Sequence, residues 1–137
     1  MSEENVEIVR AALEAVQRGD WSRLSTIFDE RAVVHPDPSW PEQFITGRDA
    51  VIDWAKGLRE MMGAAWEGAA SVVQIEEVHD LGDRVLLRLR VPVRGAHSGV
   101  EGHLSWSQIT TLRDGRIMLV EFYLDHHQAL NAAGLHA

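Results

Sequence analysis

Residues 104–122 have the sequence LSWSQITTLRDGRIMLVEF, and this stretch decides the fold. On each side of Asp114-Gly115, apolar and polar residues alternate along the chain. An Asp-Gly pair between two such runs is the strongest short-range signal for a β-hairpin. We therefore predict that residues 100–113 and 116–125 form two adjacent antiparallel strands.

The alternation continues upstream of this hairpin. Residues 69–79 and 84–94 show the same period of two, and Gly82-Asp83 separates them with a further turn signal. A second break, from Gly95 to Gly99, precedes the hairpin. The second half of the chain, about residues 69–125, therefore predicts an antiparallel sheet.

The first half of the chain, about residues 2–62, instead shows helical spacing. Its apolar residues recur at steps of three and four in three segments, which predicts three amphipathic helices. The apolar positions are Val6, Val9, Leu13 and Val16, then Trp21, Leu24, Ile27 and Phe28, and finally Val51, Trp54, Leu58 and Met61. Gly19 ends the first helix and Asp20 can cap the second.

Between the second and third helices, residues 32–34 resemble a short strand. Pro36, Pro38 and Pro41 then exclude a long helix or a central strand, so this segment is a loop. Helices followed by an antiparallel sheet define an α+β protein. A length of 137 residues suits one domain, residues 1–137, in which a short tail follows the sheet.

Composition excludes several functions. The net charge of −8 argues against nucleic acid and against an anionic membrane surface as partners. No residue is Cys, which excludes disulfides, thiolate metal sites and Cys nucleophiles. No signal peptide or long apolar run is present, so a cytoplasmic protein is expected. We find no phosphate-binding glycine motif, and adjacent side chains in Asp125-His126-His127 diverge, so neither a cofactor nor a metal is expected.

Four segments together resemble one family. They are residues 18–21 (RGDW), 47–51 (GRDAV), 111–117 (TLRDGRI) and 120–125 (VEFYLD). Their order and spacing are similar to the SnoaL-like branch of the nuclear transport factor 2-like superfamily. This resemblance implies a cone-shaped, strongly curved sheet wrapped by three N-terminal helices, with a small-molecule pocket inside. It also implies a homodimer through the outer sheet face.

The superfamily includes ketosteroid isomerases, polyketide cyclases, epoxide hydrolases and non-catalytic binding modules, so the fold does not give the function. The isomerase pattern places its oxyanion-hole Tyr at about Ala12 and its strand carboxyl at about Gln108, which disfavours steroid isomerisation. The epoxide hydrolase pattern needs an Arg-x-Asp, where this chain has Arg88 and Arg90. The cyclases use an acidic residue and a His near the pocket; His35 and Asp37 keep these residue types, and so does His103.

His35 and Asp37 are the candidate catalytic pair. They fall where the isomerase pattern has its base. Two residues apart in an extended chain, they point the same way, and a His close to a carboxylate can exchange protons near neutral pH. The alternative is that both serve the loop, with Asp37 bonded to backbone amides before Pro38.

The candidate substrate-binding residues are mostly aromatic. Trp106 and Gln108 share one face of their strand, which would give an apolar wall with one hydrogen-bonding handle. The further wall residues are Trp40, Trp54 and Phe122. The alternative for Trp106 is an ordinary place in the core.

Two functions stay open on the sequence. The first is a cofactor-independent isomerase- or cyclase-like enzyme that performs acid–base chemistry on a small, largely apolar organic molecule. The second is a non-catalytic module that binds such a ligand or dimerises. The last strand is partly apolar on both faces, which favours cover by helices on one side and a partner subunit on the other.

Overall fold

The computed structural model describes residues 2–41, 43–62, 73–94 and 101–135. The helices are α1 (Ser2–Arg18), α2 (Trp21–Ile27), α3 (Arg48–Met62) and α4 (His126–Ala132). The strands are β1 (Phe28–His35), β2 (Ile45–Thr46), β3 (Gln74–Asp80), β4 (Arg84–Arg94), β5 (Glu101–Arg113) and β6 (Arg116–Tyr123). In this part of the chain, the strands form one sheet in the order β2-β1-β6-β5-β4-β3, which is curved and does not close.

The α+β class is confirmed, and the signals that predicted it are visible in the local structure. Asp20 caps α2, since its carboxylate accepts a hydrogen bond from the Arg23 amide at 3.2 Å. At the β5–β6 hairpin, Asp114 and Gly115 have φ angles of 53° and 76°. Both residues adopt the left-handed backbone conformation that a type I′ turn requires. Asp and Gly tolerate this conformation, which explains why the pair occupies the turn.

The sheet differs from the prediction at its β1 end. β1 begins at Phe28, which we assigned to the second helix, and it pairs in parallel with β6, with Val34 opposite Val120. A parallel pair needs a long connection, here α3 and four strands of the described chain, so no local turn signal marks it. The two-residue strand β2 was not predicted. Residues 69–72, which begin the first strand that we predicted for the sheet, lie outside the described residues.

The sheet has one face against α1, α2 and α3, and this contact forms the main core. Val9, Leu24 and Val51 from the three helices pack with Leu87 and Leu89 of β4, each at most 1% exposed. The outer face carries a smaller cluster, in which Leu86 and Ile109 pack against Ala129 and Ala133.

The outer cluster explains the second apolar face of the sheet. α4 of the same chain covers this strip, where we predicted a partner subunit. Homodimer formation therefore stays a prediction, as do the single-domain organisation and the cytoplasmic location. None of the helices in the described ranges is long and apolar enough to cross a membrane.

Candidate functional site

A cavity of about 80 Å³ lies between the three N-terminal helices and the inner face of the sheet. Its wall is almost wholly apolar. Trp54 of α3, Trp106 of β5 and Phe122 of β6 supply aromatic surface, and Gln108 and Thr110 of β5 supply the polar side chains. None of the described residues that line this cavity is titratable at neutral pH.

Phe122 lies at the centre of an aromatic cluster. Its ring centroid is 5.2 Å from that of Trp54, 5.9 Å from that of Trp40 and 6.3 Å from that of Trp106. All three pairs are tilted, an arrangement that aromatic rings prefer over a face-to-face sandwich. Trp40 does not line the cavity itself, so it supports the wall from behind through Phe122.

Trp106 and Gln108 form the polar handle of the cavity. They are 6% and 7% exposed, and the Trp106 Nε1–H donates to Gln108 Oε1 at 3.1 Å. This bond satisfies the indole N–H, which would be costly to bury unpaired. The Gln108 amide also carries the Nε2 group, which can only donate, as a polar group for a ligand.

His35 faces away from the cavity. Val34, the residue before it in β1, lines the cavity, and adjacent residues of a strand point to opposite faces. The His35 ring instead stacks on Phe44 with centroids 3.9 Å apart and an interplanar angle of 18°. In the parallel ladder His35 is opposite Glu121, whose neighbours Val120 and Phe122 line the cavity.

Asp37 ties the proline-containing loop to the end of β6. Its carboxylate accepts hydrogen bonds from the Leu124 amide at 2.8 Å, the Ser39 amide at 2.9 Å and the Ser39 hydroxyl. The side chain is 5% exposed and is not part of the cavity wall. Burial alone would raise the pKa of Asp37, but the three hydrogen bonds outweigh it and lower the pKa below 3.8.

The structure therefore brings together Trp54, Trp106, Gln108 and Phe122, but neither His35 nor Asp37 joins them. The catalytic role of that pair stays a prediction. Thr110 and Ala55 also line the cavity, and neither was proposed as a binding residue from the sequence. Thr110 lies two residues after Gln108 in a strand, so it faces the same side of the sheet. Ala55 lies four residues after Val51 in a helix, so it faces the same side of the helix. The periodicity of each element therefore indicated that these residues face inward.

Three other sequence candidates have structural partners outside the cavity. Arg88, which the epoxide hydrolase comparison drew attention to, has its Nη1 3.3 Å from Glu77 Oε2 and is paired with that carboxylate. Asp125 caps α4, and His126 contacts both Ser107 and Glu77. Across the described ranges, no group of three acidic or His side chains is arranged to hold a metal ion.

This chain belongs to the SnoaL-like domain family, whose family model matches residues 9–120. A comparison with functionally curated proteins found no match.

Solved structures share the fold at low sequence identity. A nuclear transport factor 2-like protein from Burkholderia xenovorans is 23% identical, with a TM-score of 0.70 over 97% of each chain. A proposed SnoaL-like polyketide cyclase from Jannaschia is 18% identical, with a TM-score of 0.70 over 98% of this chain and 94% of that one. A protein with a ketosteroid isomerase-like fold from Catenulispora acidiphila, solved in complex with trimethylamine, is 19% identical, with a TM-score of 0.69 over 95% and 94%.

Proposed function

We propose that this protein binds a small, neutral, largely apolar organic molecule in the cavity and performs no acid–base chemistry on it. The observation that carries this proposal is the composition of the wall. Aromatic and aliphatic side chains favour an apolar ligand, and Gln108 offers one donor to a ligand oxygen or nitrogen. A general acid or base must come within hydrogen-bond reach of the reacting atoms, and no titratable described side chain lines this wall.

The ligand is small because the cavity is small. An engineered apolar cavity of about 150 Å³ holds benzene, with its six heavy atoms. By proportion, the cavity of about 80 Å³ holds a molecule of roughly three or four heavy atoms without rearrangement. The Catenulispora protein in complex with trimethylamine is an example of the fold with a ligand of this size.

Binding by such a ligand is necessarily weak. At a ceiling of about 1.5 kcal/mol per heavy atom, four heavy atoms give at most about 6 kcal/mol, or a Kd on the order of tens of micromolar at best. Ligand-observed NMR is suited to this range. Acetone and dimethyl ether, with four and three heavy atoms, are suitable neutral probes, and protonated trimethylamine is the charged comparison.

We expect Ala55→Leu to abolish binding of the neutral probes. Ala55 is 7% exposed and lines the cavity, so three added carbon atoms fill the space that a ligand needs. Ala50→Leu, an exposed site on the same helix, is the matched control and should leave binding unchanged. The measurement is the saturation-transfer NMR signal of each probe with wild type and both variants.

Two outcomes would contradict the proposal. If none of the neutral probes binds wild type, or if Ala55→Leu and Ala50→Leu bind them equally well, the cavity is not the ligand site. The catalytic alternative makes a different prediction. If wild type converts any bound compound and His35→Ala loses that turnover while retaining binding, the protein is an enzyme in which His35 takes part.

A further inference from the structure

The outer face of the sheet carries a polar cluster that holds the N-terminal end of α4. Ser107 lies between the inward-facing Trp106 and Gln108 in β5, so its side chain points to the outer face. Its Oγ is 2.6 Å from Nδ1 of His126, the first residue of α4. The other ring nitrogen of His126, Nε2, is 3.0 Å from Oε2 of Glu77 in β3.

This arrangement joins a hydroxyl, an imidazole and a carboxylate in the sequence of contacts that hydrolases use. The serine is nevertheless 1% exposed, so no substrate can reach its oxygen. The cluster therefore serves as a fastening between α4 and the sheet, and the chemistry that it offers is proton binding by His126.

The C-terminal end of α4 is fastened by a group with a fixed charge. Arg84 of β4 donates from Nη1 to the Ala132 carbonyl and from Nη2 to the Ala133 carbonyl, both at 3.3 Å. An arginine stays protonated at every physiological pH. Between the two ends, Ala129 and Ala133 cover Leu86 and Ile109 of the outer cluster. Of these two fastenings of α4, only the one at the N-terminal end contains a group whose charge can change with pH.

We propose that α4 is a proton-sensitive latch, which is held more firmly on the outer sheet face when His126 is protonated. In the neutral ring, Nε2–H donates to Glu77 while the Ser107 hydroxyl donates to Nδ1. In the protonated ring, Nδ1–H donates to the Ser107 oxygen and the bond to Glu77 becomes an ion pair. Each ring nitrogen keeps its partner in both states, and the Ser107 hydroxyl hydrogen turns away from Nδ1 when the ring is protonated. Protonation therefore strengthens the fastening while the heavy atoms keep their positions.

The carboxylate partner keeps its charge over the relevant range. The hydrogen bond from His79 has the largest effect and lowers the pKa of Glu77. Burial raises this pKa, but the hydrogen bond from Arg88 and the charge of His126 lower it further, so it lies below 4.5. A protonated His126 binds this carboxylate more strongly than a neutral one, so acidification favours the docked helix. The effect reverses only at more acidic pH, where Glu77 itself takes up a proton.

Other charged groups around His126 limit the size of the effect. On β3, His79 Nε2 is 3.1 Å from Glu77 Oε1, and on β4, Arg88 Nη1 shares Oε2 with His126. These two positive groups compete for the same carboxylate, and the pair is partly exposed to water.

Further groups flank the cluster. They are Glu76 on β3, Arg84 on β4, Glu121 and Tyr123 on β6, and Asp125 and His127 on α4. Because of this environment, we expect a threefold to roughly tenfold change in the opening equilibrium of α4 between about pH 8 and about pH 5.5.

Hydrogen exchange with mass spectrometry tests the latch. The readout is the protection of residues 126–135 at the two pH values, corrected for intrinsic exchange rates. Wild type should be roughly threefold to tenfold more protected at the lower pH. His126→Gln keeps a neutral hydrogen bond to Glu77 but cannot be charged, so its protection should not depend on pH.

Three further variants make the result specific. His127→Gln, on the exposed side of the same helix, should behave as wild type. His79→Gln removes a competitor for the Glu77 carboxylate, so it should retain or enlarge the pH dependence. Glu77→Gln should abolish the pH dependence as His126→Gln does, so the test survives if one of the two variants folds poorly. Equal protection of wild type at both pH values would overturn the proposal. Retained pH dependence in both His126→Gln and Glu77→Gln would overturn it as well.

Discussion

Phe122→Ala is expected to lower the free energy of unfolding by about 3–5 kcal/mol, the usual cost of removing a buried aromatic ring. Phe122 is 7% exposed, and its ring meets three tryptophans, Trp40, Trp54 and Trp106. Truncation to Ala removes all three ring contacts and enlarges the cavity that Phe122 lines. A typical domain has a total stability of about 5–15 kcal/mol, so the loss is a large part of it.

Urea unfolding followed by tryptophan fluorescence measures this loss, because the reporting rings surround the mutated site. Phe44→Ala is the matched control. Phe44 is 69% exposed and stacks on His35 alone among the aromatic rings of the described residues, so its loss should cost less than about 1 kcal/mol. Phe122→Leu should fall between the two. Equal destabilisation by Phe122→Ala and Phe44→Ala would show that the aromatic cluster does not hold helix to sheet.

Local patterns account for most of the fold. The helical stripe ending at Gly19, the capping Asp20 and the Asp114-Gly115 turn each specify their own segment through contacts within a few residues. The same is true of the strand phase that puts Trp106 and Gln108 on one face. These features could be predicted because their causes lie next to them in the sequence.

The features that could not be predicted depend on partners far along the chain. β1 lies parallel to β6, which follows it only after 80 intervening residues. α4 covers Leu86 and Ile109, although nothing in residues 126–132 indicates which strip of the sheet it meets. Tertiary contacts of this kind decide the arrangement, and a single sequence does not report them.

The candidate site likewise has one part that local patterns predict and another part that they do not. The cavity wall followed from periodicity, because a residue in phase with the core must face inward. The position of His35 did not, because the prediction ended the strand at residue 34, while β1 runs through His35. In a continuous strand, the inward side chain of Val34 forces that of His35 outward. Family resemblance supplied the residue types of a catalytic pair but not the direction in which they point.

Asp37→Ala is expected to destabilise the protein by about 2–4 kcal/mol, because it removes a buried carboxylate and leaves three partly buried donors without their acceptor. The Leu124 amide and the Ser39 amide and hydroxyl all donate to this one carboxylate. Asp29→Ala is the control, since Asp29 accepts only a local bond from the Arg31 amide at 2.9 Å. We expect that control to cost about 1 kcal/mol or less, as measured by urea unfolding at pH 7.

The same carboxylate predicts a pH dependence whose sign is fixed. Hydrogen bonds lower the pKa of Asp37 in the folded protein below its ordinary value of 3.8, despite the opposing effect of burial. Its contribution to stability is therefore fully present above pH 3.8 and is lost as the pH falls through the folded pKa. Asp37→Asn removes this titration and one or more acceptor sites, so wild type should exceed it in stability at pH 7. The difference should shrink near pH 3, and a difference of unchanged size there would show that Asp37 is not held as an ionised acceptor of the Leu124 amide.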